Sequence, residues 1–359
     1  MTASNQRTTT RHIAMVACCA LLAASVYGAR IESTGGAGDG LWSSPGNWSA
    51  GVPQSGDQVV LMDGGIIPTN VDVAGLALDY VMFSNIIQNV TLIGEDLQVN
   101  YIWSQNTNNF INNNIQMTAS TAWRLRTGFT LTMNGVLGAT NDTINLAAND
   151  SGALALRNTN TWAGGLKANQ STIVLYFDAN LGKVPADYVA NFIENGATKS
   201  FQSTGGFNRF VVHPNRGFRF NANNTFLLGP NTKVVINQPI IQDATARNLN
   251  FINSSAGVLE LGGSNTFTGE VGNNTATWLV RLKHPWALGQ GTPTVRLLTQ
   301  GTFDVMGHSI LSRTIRGVNG NGWPSPGCIM NSVDGTTCVI SNGFYNSTNN
   351  GGWFGRGDF

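Results

Sequence analysis

The segment GALALRNTNTWAG (152–164) recurs as GVLELGGSNTFTG (257–269) at a constant offset of 105 residues and without a gap. Leu154 aligns with Leu259, Leu156 with Leu261, Asn160 with Asn265, Trp162 with Phe267, and Gly164 with Gly269. Farther on, Asn180-Leu181-Gly182 aligns with Ala287-Leu288-Gly289 once two residues are inserted. Alternating leucines are the period of any half-buried strand. The shared Asn-Thr-aromatic-x-Gly tail is what makes the pair a repeat. Such units bury their apolar faces by stacking on neighbours, so the repeat directs the chain toward a solenoid rather than a sandwich.

Short alternating or β-branched pieces surround the copies: STIVLYF (171–177), RFVVH (209–213), FRFNANNTFLLG (218–229) and TKVVINQPI (232–240). Each is bounded by Gly, Asn or Pro, the signature of many short strands. After residue 30 only ADYVANFIE (186–194) carries a helical period. Charged residues are 11% of the chain against about 25% in ordinary domains. Together with 43 glycines, this suits exposed β-structure. The net charge of +1, without basic or acidic blocks, gives no support to a nucleic-acid partner. At ~20–25 residues per coil the chain would make roughly 13–16 coils, a rod about 60–80 Å long.

The segment NFINSSAGVLELGGSNTFTGEVGNN, continued by HPWALGQGTPTV (251–295), resembles the autotransporter-associated β-strand repeat, or passenger-associated transport repeat, of exported bacterial proteins. The matching features are Gly-x-Leu-x-Leu-x-Gly-x-Asn-Thr-aromatic-Thr-Gly and the later Ala-Leu-Gly-x-Gly. Residues 257–295 form the fuller copy and 152–186 a degenerate one; 215–242 resembles the coils that lead into such a unit. LWSSPGNWSAGVPQSGDQVVLMDG (41–64) resembles the leading segment of large exported repeat proteins. The resemblance implies an all-β, right-handed parallel β-helix (β-solenoid), exported to the cell surface or beyond. In such a coil Leu259, Leu261 and Phe267 face the core. Asn265 sits at the turn, either bonding backbone in a ladder or serving as an ordinary surface residue.

Two arginines (Arg7, Arg11) precede the apolar run 13–26, the pattern of a Sec signal peptide over 1–28. A capping segment with Trp42 and Trp48 is expected over 29–65, and the solenoid over 66–359. The closing residues read as the start of a further coil, so a continuation beyond Phe359 is expected. Two cysteines remain after the signal, Cys328 and Cys338 in GCIMNSVDGTTC. Export favours a disulfide between them, with two free thiols as the alternative.

No site chemistry stands out. Glu95-Asp96 is the only adjacent acid pair and reads as a turn, as do His213, His284 and His308. No metal or phosphate motif is present, and no cofactor is expected. Arg356-Gly357-Asp358 and the terminal Phe359 fall in a Gly-rich tail without barrel-like strands before them. Trp103, Trp123, Trp278, Trp286, Trp323 and Trp353 are candidate sugar platforms; Trp162 aligns with Phe267 and is assigned to packing. The expected function is a structural or cell-surface passenger, adhesive in one version and without a catalytic role. It has no membrane span in the mature chain, and its partners are surface polysaccharides or other surface proteins. An extracellular polysaccharide-binding module and a polysaccharide lyase or hydrolase on the same fold are the alternatives.

Overall fold

Strand after strand of this chain pairs in parallel with the strand one coil later, and the computed structural model is a parallel β-solenoid. It describes residues 28–196, 198–202, 208–253, 257–272, 278–291, 294–298, 301–311, 313–318, 329–341 and 344–346. The signal segment up to residue 27, Cys328, Trp323, Trp353 and the Arg-Gly-Asp tail lie outside these residues.

One 13-stranded sheet runs from Asn70–Val71 to Phe344–Asn346. At ~4.8 Å per strand it extends about 60 Å along the axis. A 12-stranded sheet begins at Arg30–Glu32 and ends at Ile240–Gln242. A 6-stranded sheet begins at Asn208–Val211 and ends at Ile329–Met330. The wall beside the long sheet thus changes near residues 208–242. Along the 13-stranded sheet, coil lengths vary from the 19 residues between Ala153 and its partner Thr172 to the 29 between Ile315 and Phe344, a wider range than the ~20–25 residues expected.

Alternation sends every second side chain inward, and in-register pairing lines these residues up in columns. In the long sheet Leu154 lies on Ile173, then come Lys199, Phe226 and Phe251. Phe226 is the hub of the core. Its ring lies 5.7 Å from Phe201, 5.6 Å from Phe218, 6.2 Å from Phe220 and 6.4 Å from Phe251. Near the N-terminal end Trp42 and Trp48 meet edge to face at 5.3 Å, both buried.

The helical period in 186–194 is overridden: Val189–Asn195 is a strand between Leu166–Asn169 and Arg216–Phe220. Neighbouring coils offer a ladder to its backbone, and alternation takes Phe192 and Glu194 into the core. Among the described residues the only helices are two 3-10 turns, Pro45–Asn47 and Asp178–Leu181. No described helix is long and apolar enough to cross a membrane.

The two repeat copies are not in the same phase of the solenoid. Following the register from Leu154 leads after four coils to Phe251, 97 residues on, whereas the repeat places Leu259 eight residues later. The first leucine strand, Ala153–Leu156, belongs to the 13-stranded sheet, and the second, Val258–Leu261, to the 6-stranded one. The unit keeps its local structure while moving one face around the rod.

Candidate functional site

The repeat residues are interior. Leu154, Leu156, Trp162, Leu259, Leu261 and Phe267 are all buried in the core cluster. Asn160 and Asn265 are buried too, which removes the surface-turn reading. Asn160 Oδ1 accepts the Leu137 N–H at 2.8 Å, and its Nδ2 donates to the Asn180 carbonyl at 2.7 Å. Asn265 Oδ1 accepts the Ile240 N–H at 2.7 Å, and its Nδ2 donates to the Ala287 carbonyl at 2.5 Å. Each amide therefore ties three successive coils. The aligned glycines share a further constraint: a Cβ on Gly164 would meet the Ile144 oxygen at 1.6 Å, and one on Gly269 would meet Arg247 carbonyl carbon at 2.2 Å.

Buried arginines close both units. Arg216 donates to the Leu181 carbonyl at 3.1 Å and to that of Gly182, with Asp178 as its ionic partner. Arg313 donates to Gly269 at 2.7 Å and Phe267 at 2.9 Å and lies over the Phe267 ring. Burial lowers its guanidinium to about 10. Other asparagines form columns along the rod. Asn169 Nδ2 donates to Asn149 Oδ1 at 2.6 Å, and Asn195 Nδ2 donates to Asn169 Oδ1 at 2.7 Å.

Replacing Asn265 by alanine is expected to cost about 2–3 kcal/mol, because the Ile240 N–H and the Ala287 carbonyl stay buried without their partner. Urea unfolding measures this, with Thr266→Ala, at an exposed neighbour, shifting stability by no more than about 0.5 kcal/mol. Equal effects at the two positions would deny the three-coil bridge.

The outward face of the long sheet holds an open trough of about 580 Å3. Its floor is small: Thr132, Ala155 and Val174 stand side by side in register on three successive strands. One pleat farther along rises a polar rim of Arg157, Tyr176 and Gln202. The Arg157 guanidinium lies 5.3 Å over the Tyr176 ring. Hydroxyl, amide, guanidinium and ring thus converge on a shallow uncharged floor. The pleat produces this arrangement, and it is invisible in sequence because its residues come from separate coils.

The strongest meeting of charges lies on the 6-stranded sheet. Glu260 contacts Lys233 at 2.7 Å, Lys283 at 3.1 Å and Arg281 at 3.4 Å. Arg281 also reaches Asp304 at 3.6 Å. Both carboxylates are buried beneath these basic side chains. Burial pushes the Glu260 carboxyl up, but hydrogen bonds from Lys233 and Lys283 outweigh it and hold the group below its ordinary value. A carboxylate with a depressed folded pKa adds stability above its unfolded pKa and loses it as pH falls through the folded one. Thermal melting of the wild type should therefore drop progressively below about pH 4.5, the ordinary Glu value. Glu260→Gln should flatten that acid limb, and an unchanged limb would assign the loss to other carboxylates.

The remaining candidates do not assemble. Glu95 and Asp96 are exposed before the strand Leu97–Ser104. His213 Nδ1 accepts the Asn215 N–H and His284 Nδ1 accepts the Trp286 N–H, so both rings brace their own turns. His308 is half-buried in a turn. Among the described residues no group of three His, Cys, Asp or Glu side chains could hold a metal ion. Trp123 is buried, Trp286 is half-buried, and the half-buried Trp103 lies under the Arg124 guanidinium at 4.8 Å. Trp278 lies in the strand Trp278–Leu282 of the 6-stranded sheet. Cys338 is buried, and Cys328, its expected disulfide partner, lies outside the described residues.

The fold and these surfaces define a parallel β-solenoid with an asparagine-tied core. No family model, curated protein or solved structure matches the chain.

Proposed function

We propose that the chain is an exported structural solenoid, displayed at a bacterial cell surface as a passenger of the autotransporter-associated repeat type. The observation that carries this reading is the use of the repeat. Its asparagines, leucines, aromatics and glycines all go into the wall and core, and none into an exposed constellation. The lyase or hydrolase alternative has the Glu260–Arg281–Asp304 group as its best candidate, and there both carboxylates lie beneath basic side chains. Surface labelling tests the proposal: an antibody to the solenoid should stain intact cells, and protease added outside should remove the signal. Protein confined to the cytoplasm would overturn it.

A second reading, polysaccharide binding, is favoured by the trough on the long sheet. Tyr176 offers an amphipathic ring, and Arg157, Gln202 and Thr130 offer donors and acceptors to a polyhydroxyl chain. A glycan bound there should be lost with Tyr176→Ala and Arg157→Ala together, at unchanged melting temperature. Retention of the glycan by this double variant would remove the trough from consideration.

A further inference from the structure

Inside the rod, between the 12-stranded and 13-stranded sheets, sits a charged group that neither reading uses. Lys199 and Glu194 form an ion pair with both side chains at 0% exposure. Lys199 stacks in register between Ile173 and Phe226, and Glu194 between Ala168 and Phe220. Phe192 lies 6.0 Å from the ammonium nitrogen. The third polar group is Asn224, also buried, whose Oδ1 accepts from Lys199 Nζ at 3.4 Å. Its Nδ2 donates to the Ala222 carbonyl at 2.6 Å, which fixes the orientation of the amide.

Burying an ion pair among apolar and aromatic residues costs more than its Coulombic attraction returns unless further groups satisfy it. Moving one proton from the ammonium to the carboxylate gives a neutral amine and a carboxylic acid at the same net charge. The apolar surroundings favour that form, and burial pushes the Lys199 ammonium well below its usual range. A neutral lysine amine is a nucleophile. The carbonyl carbon of Asn224 lies one bond beyond the oxygen that already faces it.

We propose that Lys199, Asn224 and Glu194 form a self-processing site that joins Lys199 to Asn224 through an isopeptide bond. Lys199 Nζ attacks Asn224 Cγ, forming a C–N bond. Glu194 carries the proton from the attacking nitrogen to Nδ2, the Cγ–Nδ2 bond breaks, and ammonia leaves. No oxidant, metal or co-reactant is required: Glu194 holds the proton taken from the Lys199 ammonium through the step and returns to the carboxylate when that proton leaves with the ammonia as ammonium. The bond links strand Thr198–Phe201 to the residue that opens strand Asn224–Leu228, its neighbour in the next coil. It thereby clamps two coils covalently in the stretch where the walls of the solenoid change.

Mass spectrometry of the folded full-length chain tests this. The expected mass is about 17 Da below that of the otherwise identical uncross-linked chain, the loss of one ammonia. Trypsin applied after denaturation should fail to cut after Lys199, leaving peptide 184–209 joined to peptide 220–233. Asn224→Ala and Glu194→Gln should each restore full mass and cleavage at Lys199. A wild-type chain of full mass that is cut after Lys199 would overturn the proposal. A loss of about 18 Da joining Lys199 to Glu194 would overturn the role of Asn224, and a cross-link retained in Glu194→Gln would overturn that of Glu194.

Discussion

Phe226→Ala is expected to destabilise the solenoid by about 3–5 kcal/mol, the range for a large aromatic truncated in a close-packed interior. Four rings, those of Phe201, Phe218, Phe220 and Phe251, stand within 6.4 Å of Phe226, so the cavity opens at the centre of a cluster rather than at its edge. Each of these rings is held by the backbone of its own coil, and the ladder between coils restricts collapse into the space. Phe226→Leu keeps most of the volume and should lose less than half as much. Denaturant unfolding followed by circular dichroism reads both. A loss below about 1 kcal/mol for the alanine variant, the scale of a surface change, would show that the aromatic column does not hold the coils together.

Gly269→Ala is expected to be as damaging for a steric reason. The added methyl would lie 2.2 Å from the carbonyl carbon and oxygen of Arg247 in the preceding coil, so backbone rather than a flexible side chain must move. Separating two hydrogen-bonded coils there should cost more than about 3 kcal/mol, at the upper end of overpacking effects. Gly164→Ala, against the Ile144 carbonyl, should behave alike, since the two glycines end the two copies of the repeat. Gly46 provides the control: its Cβ would meet nothing closer than 3.5 Å. Gly46→Ala should therefore fold normally. If the alanine variants at 269 and 46 melted at the same temperature, the close approach of coils at the repeat glycines would be refuted.

The architecture was largely legible in the residues, because solenoid packing depends on local features that repeat. Alternating leucines gave the wall strands, and the Asn-Thr-aromatic-x-Gly tail gave the turn, since an amide placed there bonds to the coils on either side. What sequence did not show was phase. The offset between copies suggests one column, yet the four coils between them, of 19, 26, 27 and 25 residues, slide the second copy onto a different face. The strand at Val189–Asn195 was masked by a helical spacing of apolar residues that the neighbouring coils override. The trough and the Glu260–Arg281–Asp304 group are not legible in sequence because their members lie on strands 19 or more residues apart and meet only through register. The Lys199–Glu194–Asn224 group is hidden more deeply: nothing in KSF, FIEN or NNTF marks a charge as interior.

In a stack of coils, chain distance converts to axial distance one strand at a time. Thr91, Val174 and Leu227 share one outward column of the long sheet, linked in register through Phe110, Thr132, Ala155 and Ser200. Val174 is four strands from Thr91 and Leu227 is six, so the backbone separations should be about 19 Å and about 29 Å. Pairs of spin labels at 91 and 174 and at 91 and 227, in a chain with its native cysteines replaced by serine, read these distances by pulsed electron resonance. A difference of about 10 Å between the two pairs, two strand spacings, is the predicted result. Equal distances, or a shorter one for the 91–227 pair, would contradict the stacked-coil architecture.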